Sequence, residues 1–593
     1  MTAQQSEAGQ VVAGAAVERV LAAYARIAEV DRPEVWIDLR PREEVLAEAA
    51  AVDARSRAGE VLALAGLVVA VKGNIDVAGI DTTAGCPSYA YRPAASATVV
   101  QRLVDAGAVV VGTTNLDQFA TGLVGTRSPH GAVRDARRPD RVSGGSSSGS
   151  AVAVALGLVD VAVGTDTAGS GRVPAAFQGV VGLKPTRGLL PATGVVPACR
   201  ELDCVSVFAP TVALAELAAA VMSGPDGADP LARRWPPGAP LAASSRPVVG
   251  IPGDADLAEL TPAARTAFGQ AAQLLAEHGA VLVEIDPAAF LDAGQLLYGG
   301  AFVAERYAAV GAFLETNRDD PLVDPTVAGI VLSAREVPGH ALARDRERLD
   351  LLRHTVGALF AGGGSRPRLD AVLLPTVVAQ PTIAEVRADP VGANARLGRW
   401  TTGTNLLDLC AVAVPAGVAD GGQFGVSIVA PAFADRVAAD LARLLRAEEP
   451  ATDLAWGPPG IDLVVVGAHL SGQPLNGQLT AAGARLVESV STAAQYRLHA
   501  LDTVPGKPGL ARVGPGQNGS AIEAEVWRLP ATALAELLAS LPQPMALGPV
   551  ELADGRTRVG FLCQPAALAA APDISSFGGW RGYLAAPAPV RVT

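Results

Sequence analysis

The chain has 593 residues and a mass of 60.0 kDa, room for several domains. Half of the residues are hydrophobic and only 18% are charged, which excludes a disordered chain. Lys+Arg is 47 and Asp+Glu is 59, so the formal charge is 47 − 59 = −12, and an acidic surface argues against a nucleic-acid partner.

The first twenty residues carry no basic stretch ahead of an apolar run, so no signal peptide is expected. Residues 15–30 have the spacing of an amphipathic helix. Residues 66–71 read as a short buried strand, with Lys72 at its end. A helix over 97–105 and a strand over 108–112 follow, then a polar loop over 126–141. Next come a Gly/Ser run at 143–150, a helix at 151–158 and a strand at 159–164. The apolar stretch 151–164 contains Asp160 and falls short of the ~20 residues of a membrane span, so no membrane partner is expected. Strands at 247–253, 281–285, 371–374, 410–414 and 425–429 and helices at 261–278 and 435–447 extend the alternation. Such a pattern predicts an α/β sheet covered by helices on both faces.

Residues 448–459 (EEPATDLAWGPP) are acidic and then Pro-rich, and read as a linker. Beyond them short strands between Gly/Pro turns, with one helix near 531–541, predict a small β-rich domain. The expected division is 1–445, a linker at 446–460, and 461–593. From Ile461 onward there are 9 basic and 9 acidic residues, so the excess acidity lies in the first 460. The five cysteines form no C-x-x-C pair, which fits a reduced, cytoplasmic setting.

Only three lysines occur, Lys72, Lys184 and Lys507, against 47 − 3 = 44 arginines. Arginine stays protonated at any working pH, whereas a desolvated lysine can lose its proton and act as a base. A retained lysine is therefore a candidate for such a role.

The segment 144–186 places two Gly/Ser-rich turns around a helix and a strand. The second turn, GTDTAGS, follows a strand and ends at Ser170. A serine on a sharp turn beside free N–H groups suits a nucleophile with an adjoining oxyanion hole. A phosphate-cradling loop is disfavoured, because neither G-x-x-x-x-G-K-[ST] nor a G-x-G-x-x-G with a partner acid is present. For the base, His130 is the one histidine near this segment and has no evident orienting acid. Lys72, closing a buried strand in AVKGN, is the better partner for a serine.

Together AVKGN, GGSSSGS, GTDTAGSGR and GLKPT resemble the amidase signature family of serine hydrolases over roughly the first 445 residues. The resemblance implies an α/β fold with a mixed β-sheet core covered by helices. It implies a Ser–cis-Ser–Lys triad: Ser170 as nucleophile, Ser146 as the bridging serine after a cis Gly145–Ser146 peptide, and Lys72 as base. The backbone N–H groups of Thr167, Ala168, Gly169 and Ser170 would hold the oxyanion. Asp166 and Arg172 would brace the turn, and Lys184 would belong to the scaffold. Gly73 departs from the pattern, since many members carry an acidic residue there. No metal or cofactor is implied, and a homodimer is common among such amidases.

Two further features narrow the amide. Tyr298 and Arg306, eight residues apart and so near one face of a helix, resemble the carboxylate-binding pair of allophanate hydrolases. The stretch LVVVGAHLSGQPLN, with PGKPGLAR and GSAIEAEVWRLP, resembles the C-terminal domain of those enzymes, similar in fold to gamma-glutamyl cyclotransferases. That resemblance implies hydrolysis of allophanate to ammonia and carbon dioxide, with N-carboxycarbamate decarboxylated in the second domain. His469 would be proton donor or orienting group there, and Lys507 would bind the dianion. A satisfied core histidine is the competing reading of His469. One of Glu523 and Glu525 should face inward. No Met-Lys-Met occurs, so a fused biotin-dependent carboxylase is not expected. The alternatives are another small-amide amidase, an amidotransferase component that passes ammonia to a partner, and an inactive binding protein.

Overall fold

A computed structural model describes residues 15–364, 366–449, 456–514 and 516–586. They form two compact units, the first up to Arg234 plus Val248–Glu449, the second Trp235–Pro247 plus the described residues after 450. In the first unit the strands are β1 (Trp36–Leu39), β2 (Val68–Lys72), β3 (Val109–Thr114), β4 (Val161–Asp166), β5 (Val181–Lys184) and β6 (Cys204–Ala209). The series continues with β7 (Val248–Pro252), β8 (Val281–Ile285), β9 (Ala371–Pro375), β10 (Leu409–Ala419) and β11 (Gly422–Pro431). Among the described residues they make one sheet in the order β1-β3-β2-β4-β6-β5-β10-β11-β9-β7-β8. β2 is parallel to both β3 and β4, whereas β4 is antiparallel to β6, so the sheet is mixed.

Every residue of β2, β3 and β4 is buried, as continuous Val-rich runs require. The helix Ser148–Ala155 (SGSAVAVA) packs against this part of the sheet. Its small side chains permit close approach, and Ala151, Val152 and Ala153 share a core with Val68, Ala70 and Ala162. This arrangement positions the site. Parallel β2 and β4 end at the same edge, and the helix that feeds β4 begins there. Lys72, the 143–147 loop and the 166–172 turn therefore meet.

The helix read over 151–158 starts three residues earlier, because Ser148 and Gly149 are the first turn of the helix and not part of the loop. The helices Arg42–Arg57 and Val212–Met222 were not legible in the sequence pattern.

The second unit contains β12 (Gly460–Val465), β13 (Arg485–Ser491), β14 (Tyr496–Leu501), β15 (Lys507–Arg512), β16 (Glu523–Pro530), β17 (Met545–Glu551) and β18 (Thr557–Cys563). Five of them form a sheet in the order β13-β16-β12-β18-β17, and β14 pairs with β15 as a separate hairpin. The helix expected near 531–541 is Ala531–Ala539. The segment Trp235–Pro247, which the sequence left with the first domain, packs in this unit. Leu241 donates its N–H to Gly483 O at 2.8 Å and accepts from Arg485 Nε at 2.8 Å, and Trp235 meets Trp456 edge-on at 5.6 Å. The centre of the expected linker, 450–455, lies outside the described residues. Among the described residues no helix is long and apolar enough to cross a membrane.

Candidate active site

Lys72 ends β2 with none of its surface exposed, and no carboxylate lies within ion-pair distance among the described residues. Its Nζ is 2.7 Å from Ser146 Oγ and 2.7 Å from Thr165 Oγ1. Ser146 Oγ donates to Ser170 Oγ at 3.1 Å. An amine and two hydroxyls thus form a continuous buried chain. Burial pulls the Lys72 pKa down to about 7; Asp117, Asp203 and Asp166 oppose the shift and Arg306 adds to it. A neutral amine is therefore available near neutral pH, and a neutral amine can accept a proton from Ser146.

The Gly145–Ser146 peptide is cis. Asp117, which the sequence reading missed, anchors this loop: its N–H donates to Ser146 O at 3.2 Å, and its carboxylate accepts the N–H groups of Val124, Gly125 and Arg127 at 3.0–3.1 Å. A Cβ at Gly145 would lie 2.2 Å from Asp117 Oδ2, so only glycine fits here.

The turn that carries Ser170 is clamped by a buried pair. Arg172 Nε and Nη2 donate to Asp166 Oδ2 and Oδ1, each at 2.9 Å, and both side chains are fully buried. Arg172 also donates to Thr404 Oγ1 at 2.8 Å and Asn405 Oδ1 at 3.1 Å. Burial alone would raise the Asp166 pKa, but Arg172 and its other donors outweigh it and hold the carboxyl below its ordinary value. The same carboxylate accepts the N–H groups of Gly169 and Gly171 at 2.9 Å. This corrects one expectation: the Gly169 N–H is committed to Asp166 and is not a free oxyanion donor. Thr167, Ala168 and Ser170 retain N–H groups that no described residue engages. Gly169 has φ +137°, and a Cβ there would lie 2.2 Å from Thr401 Oγ1.

Tyr298 and Arg306 do not share one helix. Tyr298 closes the helix Ala288–Tyr298, Gly299 and Gly300 break it, and Arg306 lies in the first turns of Ala304–Thr316. The break folds them together. Arg306 Nη2 donates to the Tyr298 hydroxyl at 2.8 Å, and the guanidinium carbon lies 5.0 Å from the ring centroid. Nη1 donates to Thr121 Oγ1 at 2.8 Å. Arg306 is 1% exposed, its Nε has no partner and no carboxylate pairs with it among the described residues. A buried unpaired cation is costly, and an anion at this point would offset that cost.

Other candidates fall outside this cluster. No described contact joins His130 to either serine. Lys184 is buried and donates to Pro185 O at 2.7 Å, a scaffold contact. In the second unit, half-buried His469 stacks on Phe561 at 4.8 Å with its Nε2 3.1 Å from Gln478 Oε1. It lines a mostly apolar cavity of about 350 Å³ that also receives Lys507. Burial lowers the His469 pKa, and Lys507 adds to the effect. Glu525 is the inward carboxylate, saturated by Ser471, Trp527 and Arg581, so it serves the framework.

The Amidase family model matches residues 18–437, and that of the allophanate hydrolase C-terminal domain matches 461–585. A urea amidolyase of Saccharomyces cerevisiae is 39% identical over 586 residues; the match covers 94% of this chain but 31% of the relative, so the chain spans less than a third of it. A glutamyl-tRNA(Gln) amidotransferase component from Natronomonas pharaonis is 35% identical, over 63% of this chain and 93% of that one. Among solved structures, Kluyveromyces lactis allophanate hydrolase aligns with a TM-score of 0.85 and 36% identity over 96% of both chains.

Replacing Arg172 with Met leaves Asp166 buried without its cation. Chemical unfolding of the first unit should show a loss of about 3–5 kcal/mol, the cost of breaking a buried pair from one side. A loss below about 1 kcal/mol would mean that the turn is held elsewhere.

Proposed function

Because the chain belongs to the amidase family, and its second unit matches an allophanate hydrolase C-terminal domain, we propose that it hydrolyses allophanate. The observation that carries the substrate is Arg306, a buried guanidinium without a carboxylate partner among the described residues, close enough to the triad to depress the Lys72 pKa. An amide bearing a carboxylate supplies the missing anion, and allophanate is such an amide.

In the proposed mechanism neutral Lys72 takes the Ser146 proton while Ser146 takes the Ser170 proton, and Ser170 Oγ adds to the amide carbonyl. The N–H groups of Thr167, Ala168 and Ser170 receive the oxyanion; removing such a donor typically raises a barrier by ~2.7–4 kcal/mol. The proton returns through Ser146 to the leaving nitrogen, the C–N bond breaks, and ammonia departs. Water, deprotonated by the same relay, then cleaves the ester to N-carboxycarbamate and restores Ser170. Arg306 and the Tyr298 hydroxyl hold the carboxylate end, which is the poorer electrophile and does not react.

N-carboxycarbamate is then decarboxylated, with His469 as the proposed proton donor or orienting group and Lys507 binding the dianion. The support is their shared cavity. The apolar walls favour loss of charge from the substrate as carbon dioxide leaves. The identity to an amidotransferase component favours a second reading, in which ammonia passes to a partner protein. Ammonia release from allophanate by this chain alone decides between the two. The proposed setting is the cytoplasm, supported by five free, buried thiols, and the proposed assembly is a homodimer, which sedimentation tests.

Lys72→Arg keeps the charge but cannot supply a neutral amine. Its turnover should fall by at least ~10², and the wild-type rate should rise as pH increases through about 7, where Lys72 loses its proton. Normal turnover by the variant would assign the base elsewhere. For Arg306→Ala, loss of a charged hydrogen bond worth ~1.5–3 kcal/mol should raise KM for allophanate roughly 10- to 150-fold and spare uncharged amides. Equal losses on both would make Arg306 a framework residue. His469→Ala should keep the early ammonia rate while carbon dioxide release slows. An unchanged ratio of the two rates, with lowered stability, would make His469 a core residue.

A further inference from the structure

The N–H groups proposed to face the oxyanion must be aimed, and most of the turn is visibly fixed. Asp166 holds Gly169 and Gly171, and Thr401 Oγ1 donates to Ala168 O at 2.8 Å. Thr167 is held by a different group. Its hydroxyl donates to Asp203 Oδ1, and the Asp203 carboxylate also accepts the N–H groups of Ala198 at 2.8 Å and Cys199 at 3.2 Å. Asp203 stands just before β6, whose first residue Cys204 pairs with Asp166. It is thus fixed by its own loop and tied to the sheet edge that carries the nucleophile turn.

We propose that Asp203 is a positioning residue for the amide hydrolysis, holding Thr167 through its hydroxyl so that the 167–168 backbone presents its N–H groups to the oxyanion. The inference rests on Ser170 being the nucleophile of that reaction. Asp203 has no ion-pair partner among the described residues; it is a buried carboxylate whose bonds all come from Thr167 and the 198–199 backbone.

Its charge gives the assignment a signature that a purely mechanical brace lacks. The charged groups facing Lys72 are Asp117, Asp203 and Asp166, which favour the ammonium, and Arg306, which disfavours it. Around Asp203 itself the charged neighbours are Arg306, Lys72 and Glu305, with Thr167, Cys199 and the Cys204 thiol beside it, and burial raises its own pKa against the hydrogen bonds that lower it. Removing the Asp203 charge therefore eases deprotonation of Lys72 and moves the acid limb of the rate profile to lower pH. Removing the Thr167 hydroxyl instead leaves that charge in place.

The test follows ammonia release from allophanate by the full chain across pH. Asp203→Asn should lose about tenfold or more in kcat, as expected for misaimed oxyanion donors, with little change in KM and with its acid limb shifted to lower pH. Thr167→Val should lose a similar factor with the limb unmoved, and Thr167→Ser, which keeps the hydroxyl, should restore activity to within a few-fold of wild type. Thr167→Val with undiminished kcat, or Thr167→Ser as impaired as the valine variant, would overturn the proposal even if Asp203→Asn fails to fold. A wild-type rate in Ser170→Ala would instead overturn the underlying reading, so the two failures are distinct.

Discussion

The structure turns on a lysine that must be buried without a counter-ion. Lys72 ends a fully buried strand, its Nζ contacts hydroxyls instead of carboxylates, and desolvation pulls its pKa to about 7. An ammonium in that position would be costly, and pairing it directly with a carboxylate would fix its proton and end its use as a base. The neighbouring carboxylates are kept occupied accordingly. Asp117 spends its oxygens on three backbone N–H groups, Asp166 on Arg172 and the turn, and Asp203 on Thr167 and its own loop. Their field reaches Lys72 but none of them bonds it.

The opposite sign comes from Arg306, which pushes Lys72 toward the neutral form. Lys72 and Arg306 are both buried, neither is paired by a carboxylate among the described residues, and the buried Arg306 Nε has no hydrogen-bond partner. They are coherent as a base and an anion receptor. The break at Gly299–Gly300 makes this geometry possible, because a continuous helix would hold Tyr298 and Arg306 two turns apart instead of face to face.

The low lysine count, three against 44 arginines, pointed to Lys72, and the Gly/Ser turn after a strand pointed to Ser170, whereas Ser146 came only from the resemblance to the amidase signature family. β2, β3, β4 and β7 to β11 were legible as apolar runs, whereas β1, β5 and β6 were not read, and the first turn of Ser148–Ala155 was hidden, since Ser and Gly usually mark loops and here provide close packing. Asp117, Thr165, Thr401 and Asp203 were not legible, because ordinary polar residues acquire a role only when the sheet order brings distant strands together. Thr401 is 231 positions from Ser170 in sequence (401 − 170), yet it donates to the Ala168 carbonyl. The commitment of the Gly169 N–H to Asp166 was equally invisible, because it depends on which way one carboxylate turns. The packing of Trp235–Pro247 in the second unit had no local signal either.

We propose that Ser170, activated through Ser146 by neutral Lys72, performs the amide cleavage. The most direct measurement is the initial rate of ammonia release from allophanate by Ser170→Ala, beside wild-type chain at equal folded concentration. The rate should fall by at least ~10³-fold with the fold intact, leaving only the residual rate that oxyanion donors and substrate binding supply. Ammonia release near the wild-type rate would contradict it.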